Sequence, residues 1–374
     1  MGTAYTPGLK VSPYTAVRKT RRLPRKGDVL VNVGDVVSPT TVVARALLPG
    51  NMMLVKVAGQ MGLDPEEVAP LLMVKEGDTV SKGDLLCQAK SFFGLFKSES
   101  RASCSGVVET FSSVTGNLGI REAPIPIDVL AYVKGTVVEV HPGDGCVVEA
   151  KGAFIQGIFG VGGERQGVIH VVCQDPSEEL TADKVTPDMK GRIIVGGSLV
   201  TLEALAKAAE YGVAAVVAGG IIDTAVEAYV GHSIGVAITG QEDVNTSLVV
   251  TEGFGPITMA RRTYELLKRH EGEVASVNGA TQIRAGVIRP EVIIPLAERP
   301  ADAVDARDDG HSLEIGTSIR IIREPYFGQL AAVTALPPEL TRIASGASVR
   351  VLHARLKDGG EVTVPRANVE IIET

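Results

Sequence analysis

Gly196-Gly197-Ser198, Gly219-Gly220, His232 and Glu252 are the residues of this chain best placed to handle a small ligand. Each glycine pair follows a β-branched run, and His232 stands between Gly231 and Ser233 beyond a helix-like segment. In open α/β sheets ligands bind at the carboxyl ends of the strands, so Gly197, Ser198, Gly220, His232 and Glu252 define a candidate ligand site. Catalysis is less supported. Ser198 lacks the Gly-x-Ser-x-Gly elbow of a nucleophilic serine, and His141, His170, His232, His270, His311 and His353 show no metal-ligand spacing. Cys87, Cys104, Cys146 and Cys173 form no Cys-x-x-Cys pair and read as buried free thiols. No catalytic residue, cofactor or metal is expected, and the chain leans away from being an enzyme.

Two further groups could hold an anion. The run Gly157 to Gly167 carries closely spaced glycines whose amides could approach a phosphate, but no Lys-Ser/Thr closes it as in a P-loop, which favours turns. Arg284 and Arg289 could grip a carboxylate or phosphate bidentately, or pair with acids of the same region. After Thr251-Glu252-Gly253-Phe254-Gly255, Pro256 sits where a helix would begin, with Ile257, Ala260, Tyr264 and Leu267 inward and Arg261, Arg262, Lys268 and Arg269 outward.

Composition limits the elements that can position these residues. The chain has 374 residues, 45% apolar but only 4% aromatic, with 42 glycines and no Trp, which favours turn-rich β modules around an α/β segment. The net charge of −7 is unevenly spread. Residues 1–26 hold seven cations (Lys10, Arg18, Lys19, Arg21, Arg22, Arg25, Lys26) and no acid, and residues 312–374 balance seven of each sign, leaving −14 between them. The N-terminal segment therefore reads as a basic arm for an acidic partner: nucleic acid, a membrane surface or a neighbouring subunit. No stretch has the apolar length of a membrane span and no signal peptide is evident, so a cytoplasmic location is expected.

Along the chain, Val33-Gly34-Asp35-Val36-Val37 returns as Glu76-Gly77-Asp78-Thr79-Val80 and Lys82-Gly83-Asp84-Leu85-Leu86, each a Gly-Asp turn followed by a short strand. With Gly106-Val107-Val108-Glu109 this resembles the barrel-sandwich hybrid fold of biotinyl and lipoyl carrier domains and of the N-terminal domain of the C subunit of Rnf-type complexes. The carrier role is not implied: Lys90 and Lys97 lie near the expected hairpin without the Met-Lys-Met or Asp-Lys motif. That hairpin instead gathers Phe92, Phe93 and Phe96, a sticky tip if exposed. From Arg192 a βαβ unit follows, with Ser198 as helix N-cap, Leu199, Leu202 and Leu205 on one helical face, a strand over Val213 to Ala218, a helix over Ile222 to Val230 and a strand over Ile234 to Thr239. It is loosely similar to the swivelling β/β/α domains of phosphoenolpyruvate-utilising enzymes, without their phosphohistidine loop.

The last segment, Ile315 to Glu373, alternates in short strands, turns at Glu324-Pro325-Tyr326-Phe327-Gly328 and Asp358-Gly359-Gly360, and closes with Val364-Pro365-Arg366. It resembles the SH3-like KOW modules of transcription elongation factors and some ribosomal proteins, which implies binding rather than catalysis and offers Tyr326 and Phe327 as contacts. The expected fold is a multi-domain, β-rich α+β protein: basic arm 1–26, barrel-sandwich-hybrid-like β region 27–175, small α/β domain with a partly parallel sheet 185–296, acidic linker 297–311 and KOW barrel 312–374. The expected function is non-enzymatic docking or self-assembly through Arg18, Lys19, Arg21, Arg22, Arg25, Lys26, the Phe92–Phe96 hairpin and the barrel. The alternatives are association with nucleic acid or the transcription and translation machinery, and a ligand-binding or catalytic subunit using the site above.

Overall fold

The computed structural model of the protein describes residues 9–91, 96–232, 240, 242–282, 288–300, 313–321, 325–326, 328–343 and 348–371. The chain is β-rich, with several curled, half-barrel sheets. It opens with strand β1 (Val11–Arg22), then β2 (Asp28–Val29), β3 (Val36–Val37), β4 (Val42–Leu48) and β5 (Met52–Lys56). Helices α1 (Val57–Met61) and α2 (Pro65–Val68) precede β6 (Thr79–Val80), β7 (Leu85–Ser91), β8 (Phe96–Arg101), β9 (Gly106–Ser112) and β10 (Asn117–Arg121). Strands β11 (Ile125–Leu130), β12 (Gly135–His141) and β13 (Gly145–Gln156) follow.

These strands form two nested modules with separate cores. Val43, Val133, Val137 and Val148 centre the outer one, and Val57, Leu86, Leu118 and Ile120 centre the inner one, inserted between β4 and β11. The chain enters and leaves the insert at one pinch, where a Cβ on Gly50 would lie 2.2 Å from the Glu122 carbonyl, so only glycine fits.

The Gly-Asp turns share one construction. Gly34, Gly77 and Gly83 take φ of +97°, +94° and +95°, and each following aspartate accepts the backbone N–H three residues earlier, at 2.8, 2.9 and 2.7 Å. Each turn also clasps a distant residue: the glycine N–H donates to the carbonyl of Val137, Val108 or Ala102, whose own N–H donates to the aspartate carbonyl. Gly316-Thr317 repeats the clasp on Val333, with the Thr317 hydroxyl in place of the carboxylate.

The α/β body holds β14 (Phe159–Val161), β15 (Glu164–Val171), β16 (Glu179–Leu180), β17 (Ile193–Val195), β18 (Leu199–Val200), α3 (Leu202–Tyr211), β19 (Ala215–Ile221), α4 (Asp223–Val230), β20 (Ser247–Phe254), α5 (Arg261–Arg269), β21 (Val274–Asn278) and β22 (Glu291–Pro295). Its sheet runs β14-β20-β19-β17-β15-β21-β22-β13-β12-β3. Strands β15, β17, β19 and β20 are parallel, and β15 switches to antiparallel pairing with β21. Ile194, Val216 and Val250 face α3, while Ile193, Val217 and Val249 face α5, so both faces are covered, as a parallel sheet requires. The sheet thus runs from the outer β module into the α/β body, so the boundary near residue 175 does not separate them.

Several expectations shift. The basic segment is no free arm: β1 pairs along β13 from Val11↔Ile155 to Arg22↔Gly145. Thr201, not Ser198, caps α3, accepting from the Ala204 N–H at 3.2 Å, because Leu199–Val200 is spent pairing with β16. Helix α5 begins at Arg261 rather than Pro256, since the Ala260 N–H is bound by Glu252. The strand placed at 234–239 lies outside the described residues.

The terminal segment is a curled sheet of β23 (Ser318–Ile321), β24 (Leu330–Ala335), β25 (Leu340–Arg342), β26 (Ser348–Leu356), β27 (Glu361–Pro365) and β28 (Val369–Ile371). Ile319, Ile321, Val333, Leu352, Ala354 and Val364 fill its core. Gly359, at φ +90°, makes the β26–β27 turn as its sequence suggested.

Candidate functional site: the carboxyl edge of the parallel sheet

The residues after β17 and at the end of β19 gather at one edge, as expected, but the chain itself fills the space a ligand would need. The Gly219 N–H donates to the Gly197 carbonyl at 2.7 Å, Ser198 N–H to Glu178 at 2.9 Å and Gly255 N–H to Ile221 at 2.8 Å. The Ser198 hydroxyl donates to the Ser177 carbonyl at 2.8 Å. Loops 174–178 and 255–259 also meet directly, with the Met259 N–H on the Pro176 carbonyl at 3.1 Å. A Cβ on Gly197 would lie 2.3 Å from Glu178 O, and one on Gly220 1.9 Å from Gly255 O. These glycines admit backbone of the same chain, and the buried Ser198 hydroxyl is committed to holding a loop.

His232 is elsewhere. Helix α4 starts after β19 and runs back across the sheet, and the Tyr229 hydroxyl reaches the carbonyl of Thr246, the residue before β20, at 2.8 Å. His232 follows at that amino edge, across the sheet from Ser198 and Gly220, and is exposed. It does not complete the candidate site.

Glu252 does reach the carboxyl edge, and its carboxylate is fully engaged. One oxygen accepts from Ala260 N–H at 3.0 Å and the other from Arg320 at 2.8 Å. Arg320 also donates to Glu370 at 2.8 Å, and Glu370 pairs with Arg289 at 3.2 Å. Arg320 and Glu370 belong to the curled terminal sheet, Glu252 and Arg289 to the α/β body, so two ion pairs cross the junction. All four side chains are largely withdrawn from water, Arg320 to 3% and Glu370 to 1% exposure. Burial holds the Arg289 pKa below the usual guanidinium value, against the opposing pull of Glu370. Strand alternation does turn Arg320 out of the core of the terminal sheet, but into this junction rather than water. Arg284 lies outside the described residues.

The glycine-rich run likewise meets its own chain: Gly162 and Gly240 both donate to Glu242, at 2.9 and 2.7 Å, and Gly160 to Thr281 at 2.8 Å. A carboxylate of the protein sits where a bound phosphate would.

Neither known protein families nor curated proteins match this chain. The remaining candidates therefore rest on geometry alone. Lys19 pairs with Glu291 at 2.5 Å, Arg21 with Glu164 at 2.6 Å, Arg18 with Glu149 at 2.8 Å and Arg22 with Asp144 at 3.5 Å. Arg25 and Lys26 are exposed at the following turn. Beside Lys19 and Arg21, Tyr132 donates its hydroxyl to Glu291 at 3.2 Å and holds φ +69°, the one positive φ outside glycine among the described residues. Burial, reinforced by Glu291, raises its pKa well above the phenol value. The sequence does not show this cluster because its members come from four separate elements: β1, the loop between β11 and β12, β15 and β22.

Phe92, Phe93 and Phe327 lie outside the described residues. Phe96 starts β8, opposite Ser91, and Tyr326 packs half-buried on the barrel core. Among the described residues no cluster of His, Cys, Asp or Glu could hold a metal ion. Burial raises the thiol pKa of Cys87, Cys146 and Cys173, the opposite of what a reactive thiolate needs.

One titration has a visible consequence. His270, at the C-terminal end of α5, is buried with its Nε2 lacking a hydrogen-bond partner among the described residues, and burial lowers its pKa. A lowered folded pKa means stability present above the unfolded value of about 6.5 and lost as pH falls through the folded one. The melting temperature should therefore fall between about pH 7.5 and 5, and His270→Leu should fall less. Parallel curves for the two proteins would show that His270 takes up its proton as readily in the folded chain as in the unfolded one.

Proposed function

We propose that this protein is a non-enzymatic scaffold that works by docking, with a second copy of itself as the principal partner, and that its modules are a barrel-sandwich hybrid and a KOW-like barrel. The observation that carries the proposal is where apolar surface remains exposed. Eleven of the sixteen large apolar side chains exposed among the described residues lie between Leu30 and Leu130, in the nested β modules. Leu54 and Ile125 are 63% and 47% exposed on the edge strands β5 and β11, and Leu47 is 56% exposed on β4 beside β11, with outward faces that no described residue covers. Monomers seldom leave apolar area concentrated in this way, and β edges add unpaired backbone groups for a partner strand. The shared Gly-Asp clasp supports the module assignment.

The ligand-binding alternative has less to stand on, because the carboxyl edge is filled by loops 174–178 and 255–259. Nucleic acid binding does too, since four of the seven cations of the basic segment already pair with acids, leaving Lys10, Arg25 and Lys26 exposed.

Native mass spectrometry of the full chain should give a homo-oligomer of unmodified mass, and Leu47→Asp with Leu54→Asp should convert it to monomer without lowering its melting temperature. A wild-type monomer would overturn self-assembly, and one carrying extra small-molecule mass would restore the ligand-binding reading.

A further inference from the structure

We infer that the terminal barrel is a reversibly seated cap, held on the carboxyl edge of the α/β body by ion pairs and able to lift away while both bodies stay folded. This goes beyond scaffolding and does not depend on it. The barrel has its own apolar core, which shares no residue with either core of the α/β body. Among the described residues the two are joined by two ion pairs, Glu252 with Arg320 and Arg289 with Glu370. Beside these pairs two backbones pass closely, a Cβ on Gly253 falling 2.9 Å from the Gly328 carbonyl and one on Gly328 3.2 Å from the Phe254 ring.

A junction of this kind behaves unlike an apolar seam. Each body keeps its buried apolar area when they part, so separation forfeits little hydrophobic stabilisation. The ion pairs gain Coulomb energy in the closed state but lose hydration, and parting returns that hydration to all four groups. Arg320 tips the balance further: its Nε is buried with no partner among the described residues, a donor satisfied only when water reaches it.

Lifting the cap would uncover Glu252, Gly253 and Phe254 at the end of β20, together with the barrel face that carries Arg320 and Glu370. That edge is the position at which open α/β sheets meet their ligands. The closed form thus withdraws the end of β20 and the facing ion-pair surface of the terminal module from water and from any partner.

Hydroxyl-radical footprinting of the full chain tests this. In the wild type, at urea concentrations below the unfolding transition, the side chains of Phe254 and Arg320 should become labelled through a partial opening with shallow urea dependence, while Val217 and Leu352 stay protected. Glu252→Gln with Arg289→Gln should raise labelling of the first two by about tenfold or more and leave the other two unchanged. Equal urea dependence at all four side chains in the wild type would overturn the cap, and so would a variant that folds yet is labelled as the wild type is. If the double variant fails to fold, the wild-type comparison decides alone.

Discussion

Arg320→Met is expected to cost the closed state roughly 3–5 kcal/mol, the penalty for stripping the partner from buried charges. The guanidinium serves two carboxylates at once, Glu252 and Glu370, at 2.8 Å each. Methionine fills similar volume but leaves Glu252 without a cation and Glu370 with Arg289 alone, at 3.2 Å. The loss should fall on seating rather than on global unfolding, because both carboxylates regain water once the barrel lifts. The opening free energy of the junction, read from the urea dependence of Phe254 labelling by hydroxyl radicals in the full chain, should drop by the full amount, while that of Val217 in the α/β core changes little. Arg320→Lys should lie between, since an ammonium is a point charge without the planar fork that spans two acceptors. A loss under about 1 kcal/mol would mean that the carboxylates are hydrated in the closed protein.

Arg320 also marks how far the sequence can be read. Alternation along Ser318–Ile321 places its side chain outside the barrel core, but a period of two cannot distinguish water from a neighbouring body. The Gly-Asp turns were legible because everything that forms them lies within four residues: a glycine for positive φ and a carboxylate to hold the N–H three positions back. The basic segment was misleading for the opposite reason. Residues 1–26 contain no acid of their own, and the partners Glu149, Glu164 and Glu291 arrive only through the register of β13, β15 and β22. Helix starts erred by a few residues wherever a long-range bond claimed the first amide, as Glu252 claims that of Ala260. His232 fell on the wrong edge although its helix was expected over Ile222 to Val230 and runs Asp223–Val230, because a helix that leaves the carboxyl end of β19 carries the chain back to the amino edge.

Gly220→Ala is expected to destabilise the fold by about 3 kcal/mol, at the upper end for overpacking, and this decides between the two meanings of Gly-Gly at the carboxyl edge. The added methyl would lie 1.9 Å from the Gly255 carbonyl and 3.1 Å from that of Ser198. Both obstacles are backbone atoms tied into the sheet edge, so no rotamer change relieves the clash. Gly191→Ala makes a matched control: its φ of +71° is unfavourable for alanine, yet nothing lies within 4 Å of the new methyl, so its cost should be limited to conformational strain of about 1 kcal/mol. Urea denaturation of both variants gives the comparison. If Gly220 instead kept space open for a ligand, its alanine variant would melt like the wild type and differ only in what it binds. A large loss for Gly220 beside a small one for Gly191 would mean that the glycines of this edge are there to let the chain close on itself, which is also why the edge can serve as the seat of a cap.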